Sequence, residues 1–247
     1  SSTLNYYIRE TTINAAPLTI NAGSGNVTFE KAVGVGKALA NFSVTGNQVN
    51  FNGALKLDTT GATVTNTGAS AIAGSITGTG ALTKNGAGAL TLSGDNSYSG
   101  ATNINAGSLL VGAGGSTGSL GTGLVTNNTS LVFNRTGVLV VPSTITGTGT
   151  LTKQGSGTVS LTAANDYSGA TTLSAGTLGI YNNTALGSST LTAAGGTTLL
   201  FGRAVTNFAN NITLNGSVTF DLDTAVDYLV VGGGGGGGAW VGGEIGR

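Results

Sequence analysis

The side chains that could take part in chemistry are few in this sequence of 247 residues. Histidine and cysteine are absent, which excludes disulfides, thiolate nucleophiles, histidine-dependent triads and the usual zinc ligands. Acidic residues cluster once, at Asp221, Asp223 and Asp227. Asp221 and Asp223 are two apart on a predicted strand and so share one face. The pair suggests a cation site or a catalytic pair, or else charges that discourage unwanted sheet pairing, which is the interpretation we favour.

Two other reactive side chains occur twice, at the same interval along the chain. Lys84 returns as Lys153, each between a strand and a Gly-rich turn, and Tyr98 returns as Tyr167 within N-x-Y-S-G-A-T. The lysines suggest a series of cations for an acidic glycan or, as we expect, solubilising charges on a neutral surface. The tyrosines suggest stacking on sugars or, as we expect, rings packed over the adjoining turn with their hydroxyls in water.

Polar and glycine positions near the tyrosines recur at the same interval. Asn96 and Asn165 fit a stacked amide ladder, or the left-handed backbone conformation that turns a corner. Gly107 and Gly176 recur further along each copy. We predict that these asparagines, glycines and the two tyrosines have a structural role in turns or ladders.

The repeated lysine, tyrosine, asparagine and glycine positions all belong to one internal repeat. Residues 75–112 return as residues 144–181 without a gap, and 20 of the 38 positions are identical. The interval between the copies divides into three lengths of about 23 residues, which suits one turn of a parallel β-helix. Short runs that alternate apolar and polar residues, bounded by Gly, Asn or Ser, predict strands with one buried face. The sequence therefore predicts an all-β fold, a parallel β-helix or β-solenoid of about 23 residues per turn and three turns per repeat.

Two regions are predicted along the chain. The solenoid is expected to cover residues 1–225, because alternating runs also precede the first copy. Residues 226–247 contain a strand-like run, seven consecutive glycines and the tail AWVGGEIGR. The glycine block fits a flexible segment, or backbone that packs closely against other chains. Its possible self-assembly residues are Gly232, Gly235, Gly238 and Trp240, of which Trp240 could anchor the tail on the end of the rod or on a neighbouring molecule.

Charge and hydropathy exclude several classes of protein. Nine basic and nine acidic residues give zero net charge, which argues against a nucleic-acid surface. The sequence contains no run of 18 apolar residues, so it predicts no membrane-spanning helix. The first residues lack the basic and apolar regions of a signal peptide, so an export signal is expected to be removed or to lie outside this sequence.

The first copy, GTGALTKNGAGALTLSGDNSYSGATNINAGSLLVG, and the second keep nearly every fixed position of G-x-G-x-L-T-K-x-G-x-G-x-L-x-L-x-G-x-N-x-Y-x-G-x-T-x-I-x-x-G-x-L. This pattern resembles the autotransporter passenger-associated β-strand repeat. The upstream PLTINAGSGNVTF and LANFSVTGNQVNFNG are similar to strands of filamentous-haemagglutinin-like exoproteins. The resemblance implies a right-handed parallel β-helix exported by type V secretion to the bacterial surface or medium, usually as a stalk or adhesin.

The expected function is therefore a non-enzymatic, extracellular structural or adhesive solenoid of a bacterial surface or secreted protein. It would act as a stalk, adhesin or filament subunit without a cofactor. Its expected partners are another copy joined head to tail, a host or abiotic surface, or a glycan. The alternatives are a carbohydrate-active β-helix enzyme and a tailspike-like glycan-binding module.

Overall fold

A computed structural model describes residues 5–8, 17–36 and 38–223, and the regular structure in these residues is β-strand throughout. The first half of the chain forms β1 (Asn5–Ile8), β2 (Thr19–Asn21), β3 (Asn26–Phe29), β4 (Phe42–Gly46), β5 (Val49–Phe51), β6 (Leu55–Leu57), β7 (Ala62–Asn66), β8 (Ser70–Ile72), β9 (Ile76–Gly78), β10 (Leu82–Asn85), β11 (Ala89–Leu92), β12 (Thr102–Ile104) and β13 (Ser108–Val111). The second half forms β14 (Val125–Asn127), β15 (Ser130–Asn134), β16 (Val138–Val141), β17 (Ile145–Gly147), β18 (Thr150–Gln154), β19 (Thr158–Leu161), β20 (Asp166–Tyr167), β21 (Thr171–Leu173), β22 (Thr177–Ile180), β23 (Leu191–Ala194), β24 (Thr198–Phe201), β25 (Ile212–Asn215) and β26 (Thr219–Leu222).

The strands stack as the three sides of a parallel solenoid. Side 1 is an eleven-stranded sheet, β1-β3-β5-β8-β11-β13-β15-β18-β21-β23-β25. Side 2 is an eight-stranded sheet, β2-β4-β7-β10-β12-β14-β17-β20. Side 3 begins as the pair β6-β9 and later becomes the five-stranded sheet β16-β19-β22-β24-β26. The chain passes from side 2 to side 1 to side 3 in each turn, so the predicted all-β parallel solenoid is confirmed.

The turns are shorter than the sequence predicts. Leu82 pairs with Thr102, and Leu151 pairs with Thr171, which are spacings of twenty positions. Twenty is the commonest spacing between paired strand residues of successive turns, and the spacings range from 19 to 24. At this spacing, three turns fall short of the repeat length. The first copy begins its L-T-K strand on side 2, at β10, whereas the equivalent strand of the second copy, β18, lies on side 1. The repeat therefore spans three turns and one additional side, and its two copies face different directions around the axis.

The core is a set of columns of inward-facing side chains. Strand residues alternate between buried and partly exposed, as in β4 and β7. The alternation places aliphatic residues of one turn directly over those of the next, as with Leu90 and Leu109 on side 1. Near the first turns the rings of Phe29 and Phe51 stack with centroids 4.4 Å apart. Each fully buried leucine stabilises the fold by roughly 2 kcal/mol. The buried hydrophobic residues extend from Val27 to Phe201, so the core is continuous through these turns.

The sheet on side 2 stops before the other two. Its last strand is β20, and the next two turns cross this side as loops, residues 181–190 and 202–211. Sides 1 and 3 continue to β25 and β26. Among the described residues, no helix is long and apolar enough to cross a membrane. The predicted boundary after residue 225 lies outside the described residues and stays a prediction.

Candidate functional site

The repeated lysines are buried, so the prediction that they are surface charges is wrong. Lys84 is an inward-facing residue of β10 and has no exposed surface. Its Nζ donates hydrogen bonds to the carbonyl oxygens of Asn85 and Gly86 at 2.7 Å each, and of Ala106 at 3.1 Å. The first two acceptors lie at the corner where β10 ends, and the third belongs to the next turn. The ammonium group therefore ties two successive corners together.

The second copy repeats this arrangement on another side of the solenoid. Lys153 is stacked in register between Phe133 of the preceding turn and Leu173 of the following turn. Its Nζ donates three hydrogen bonds of 2.9, 2.9 and 3.0 Å to the carbonyl oxygens of Gln154, Gly155 and Ala175. The two lysines are on different sides, so they do not form a series of cations for an acidic glycan.

Burial lowers the pKa of Lys84 and of Lys153 to about 8, because an ammonium ion loses hydration inside the protein. Three carbonyl acceptors match the three N–H donors of a protonated lysine. Each lysine is thus still charged at neutral pH and fully hydrogen-bonded. This arrangement can fix a corner, but it leaves no donor for a ligand.

The repeated tyrosines also lie in the core, and the prediction that their hydroxyls are in water is wrong. Tyr98 and Tyr167 have no exposed surface. The Tyr98 hydroxyl is 2.6 Å from the Thr102 hydroxyl. The Tyr167 hydroxyl is 2.8 Å from that of Thr171, which is 2.9 Å from the Ser189 hydroxyl. Burial raises the pKa of Tyr167 to about 12. Neither ring is available to stack on a sugar.

The repeated asparagines join three successive turns. Asn96 Oδ1 accepts a hydrogen bond of 2.7 Å from the backbone N–H of Ile76, and its Nδ2 donates one of 2.6 Å to the carbonyl of Ser119. Asn165 makes the equivalent bonds, accepting at 2.8 Å from the Ile145 N–H and donating at 2.6 Å to the Ala185 carbonyl. These amides bond to the backbone of the turns before and after them rather than to each other.

The alternative prediction, that these asparagines adopt the left-handed backbone conformation, is wrong. In the part of the chain that the structure describes, Asn41 alone among non-glycine residues has a positive φ. Glycines instead take that conformation at the corners. Gly107 and Gly176 both have a φ of 69°, and a Cβ on them would lie 2.3 Å from the Gly88 carbonyl and 2.5 Å from the Gly157 carbonyl. Both the conformation and the close approach of the preceding turn therefore require glycine.

Three buried polar residues were not predicted from the sequence. Thr102 and Thr171 are the buried hydroxyls that receive the tyrosines. The signal was present, because each threonine follows its tyrosine by four residues in both copies. Arg135 is also buried and donates to the carbonyls of Ser116 and Gly118, which holds the loop of the turn below. The alternation of buried Leu131 and Phe133 places Arg135 on the same inward face, so a local signal for its burial was present.

Among the residues that the structure describes, the acidic side chains do not gather into a site. Asp221 is exposed on β26, and its Oδ1 accepts a hydrogen bond from the Leu222 N–H at 2.9 Å. Asp223 follows the strand. Burial raises the pKa of Tyr181, and the negative charge of Asp223 raises it further. Asp227 lies outside the described residues, as do Gly232, Gly235, Gly238 and Trp240. Within residues 5–8, 17–36 and 38–223, no group of three or more acidic side chains could hold a metal ion.

Comparisons with known proteins identify the repeat. The model of the passenger-associated-transport-repeat family matches residues 82–111 and 151–180. The adhesin BmaC autotransporter of Brucella suis biovar 1 (strain 1330) is 44% identical over 88 residues. These residues are 34% of this chain and 3% of the relative, so the match spans a small part of that protein's length. No solved structure matches the chain.

The matched residues coincide with the strands and corners that carry the buried lysine and tyrosine of each copy. The predicted passenger repeat is thus confirmed, while the likeness to filamentous-haemagglutinin-like strands stays a prediction. The chain contains two copies of the passenger-associated transport repeat, and both form part of its β-solenoid.

Proposed function

We propose that this chain is a rigid segment of the passenger of a bacterial surface adhesin, acting by its shape and its outer surface and not by catalysis. The observation that carries the proposal is the uninterrupted parallel ladder of side 1, in which eleven strands pair in succession. A ladder of this kind transmits tension along its axis through backbone hydrogen bonds. At about 4.8 Å per turn it extends roughly 50 Å.

The contacts of the polar core residues support a structural role. Lys84, Lys153, Tyr98 and Tyr167 are the chemically distinctive side chains of the repeat, and each directs its polar atom to the backbone or to a buried hydroxyl. A catalytic group must instead point its reactive atom at a substrate. The lysines therefore join successive turns of the solenoid, and each tyrosine hydroxyl bonds to a threonine four residues further along its own turn.

The position of the chain outside the cell is part of the same proposal. Its relative is named an adhesin autotransporter and is 44% identical to this chain over 88 residues. We infer that this segment is exported with the rest of its passenger and displayed at the cell surface. Its stalk or adhesive role depends on how far the rod carries its outer faces from the cell.

Adhesion by purified protein tests this proposal. Beads coated with the chain are expected to attach to host-cell or abiotic surfaces more than beads coated with albumin, and the attachment should be lost when Leu151→Asp disrupts the core. Leu151 is fully buried in β18. Exposed Thr150, its neighbour, provides the matched control Thr150→Asp, which should attach as the wild type does. Equal attachment by albumin beads, or cleavage of polysaccharides by the wild type, would contradict the proposal.

A further inference from the structure

A cleft opens on side 2 of the solenoid, where its sheet has ended. Two successive loops, residues 181–190 and 202–211, cross this side above β20. Between them lies a cleft of about 300 Å³. On the other two sides of the same turns, the strands continue to pair directly. The cleft therefore arises where the backbone ladder is replaced by loops.

Two asparagine side chains hold the walls of the cleft in place. Asn183 Oδ1 accepts hydrogen bonds from the backbone N–H groups of Thr206 at 2.9 Å and Asn207 at 3.1 Å. Asn210 Nδ2 donates to the carbonyls of Gly187 at 3.0 Å and Ser189 at 2.8 Å. The first asparagine reaches up from the lower loop and the second reaches down from the upper loop. The walls are therefore fixed before any ligand arrives, which reduces the entropy lost on binding.

The lining of the cleft is neutral and rich in groups that both donate and accept hydrogen bonds. None of its nine lining residues is charged. Ser188, Thr190 and Asn211 are exposed there and present two hydroxyls and an amide. The threonine methyl groups and Ala209 supply small apolar surfaces beside them. This combination of polar and apolar groups is that of a surface which receives a polyhydroxylated molecule.

The same lining disfavours other ligands. An anion or a cation would lose hydration without meeting an opposite charge. A purely apolar ligand would cover hydroxyl and amide groups without satisfying them. The volume is at the lower end for small-molecule sites, which start at roughly 300 Å³. One or two sugar units fit that size.

We propose that this cleft binds a neutral saccharide, which gives the adhesive passenger a specific ligand on side 2. The inference rests on the proposed adhesive function and names the class of ligand that it would recognise. The ligand's hydroxyls would exchange hydrogen bonds with Ser188, Thr190 and Asn211. Its C–H faces would lie against the methyl group of Ala209.

Saturation-transfer NMR of the full chain with D-glucose, D-galactose, D-mannose, N-acetyl-D-glucosamine and, as the charged comparison, N-acetylneuraminic acid tests the proposal. For ligands of this size we expect a dissociation constant of roughly millimolar for at least one neutral sugar. Thr190→Trp should fill the cleft and weaken that binding by about tenfold or more. The control Thr213→Trp changes another exposed threonine, on β25 of side 1, and should leave the binding unchanged.

Asn211→Ala provides a second variant, since it removes one lining amide without adding volume and should also weaken binding. The proposal is overturned if no neutral sugar binds, if N-acetylneuraminic acid binds in preference, or if Thr190→Trp and Thr213→Trp bind alike. The bead-adhesion experiment distinguishes failure of the saccharide proposal from failure of the proposed adhesive function. Wild-type beads that adhere without any sugar bound in the cleft refute the cleft alone, whereas sugar binding without adhesion refutes the adhesive role.

Discussion

Replacing Lys153 with methionine removes the buried ammonium group and keeps an unbranched side chain of similar length. The stem would still pack between Phe133 and Leu173. Three carbonyl oxygens, at 2.9 to 3.0 Å from Nζ in the wild type, would lose their donor. The change therefore isolates the hydrogen bonds at the corner from the hydrophobic packing of the column.

Two opposing effects set the size of the loss. Each carbonyl left without a partner in the interior costs about 1–3 kcal/mol. Methionine, however, avoids the desolvation of an ammonium ion, the effect that lowers the pKa of Lys153 to about 8. We expect Lys153→Met to reduce the free energy of unfolding by about 2–4 kcal/mol. Lys84→Met should reduce it by a similar amount, because its three bonds are equivalent.

Urea denaturation at pH 7, followed by circular dichroism, measures this effect through the midpoint and slope of the transition. Solenoids can unfold in parts, so hydrogen exchange at the corner amides should accompany it and show faster exchange near the substituted lysine. Lys56→Met is the matched control, since Lys56 is exposed on β6 and its loss should change stability by less than about 0.5 kcal/mol. A stability for Lys153→Met within that margin of the wild type would refute the corner role of the lysine.

Four other predictions follow from the same geometry. Both lysines have a pKa of about 8 in the folded chain, and the ordinary value is 10.5, so the unfolded chain binds more protons between these pH values. The free energy of unfolding of the wild type should therefore rise with pH from about 8 to 10. Denaturation of the Lys84→Met/Lys153→Met double variant across this pH range should lack that rise, and a rise of equal size would contradict the assignment. Tyr98→Phe removes the hydroxyl partner of Thr102 and should lower the free energy of unfolding by about 1–3 kcal/mol. Tyr167→Phe should cost less, because Thr171 keeps its hydrogen bond with Ser189. Equal losses of stability for the two variants in thermal melts would contradict this difference. Gly176→Ala places a Cβ 2.5 Å from a carbonyl oxygen at a position with positive φ, and it should lower the free energy of unfolding by about 2–4 kcal/mol. Gly114→Ala has a φ of 88° but no atom within 4 Å of the new Cβ, so it should cost about 1 kcal/mol. Similar urea midpoints for the two variants would contradict the steric argument. Head-to-tail association stays a prediction, and the exposed Leu214 and Phe220 of the last described strands favour it. The sedimentation coefficient should increase with protein concentration, and Phe220→Asp should reduce this increase. A monomer at all concentrations would contradict the prediction.

The burial of Lys84 shows where sequence reasoning was sufficient and where it failed. The alternation that places Leu82 inside also places Lys84 inside, two residues later on the same face. A general preference for exposed lysine outweighed that local pattern in the prediction. The pattern was right because the corner of the next turn supplies a carbonyl oxygen, from a residue 22 positions away, and spacing within one strand carries no information about that acceptor.

The cleft between the loops could not have been predicted. Residues 181–190 and 202–211 contain the same Asn, Thr, Ser and Gly residues that form turns elsewhere in the chain. Their place on one side, one above the other, depends on the length of every preceding turn. The bridging bonds of Asn183 and Asn210 join residues 21 to 24 positions apart.

Residue types and spacing were sufficient to predict a parallel solenoid, because alternation and a gapless repeat are properties of neighbouring residues and of their copies. Which side each copy occupies emerged only from the folded chain. The repeat length states only how far apart two equivalent strands are, and the number of corners between them depends on how tightly each turn closes around its core. Three successive pairings on side 2 lead from Leu82 through Thr102 and Val125 to Ile145, and the equivalent of Leu82, Leu151, lies one strand further on, on side 1. This additional side turns the second copy, with its lysine and tyrosine, toward a different direction from the first.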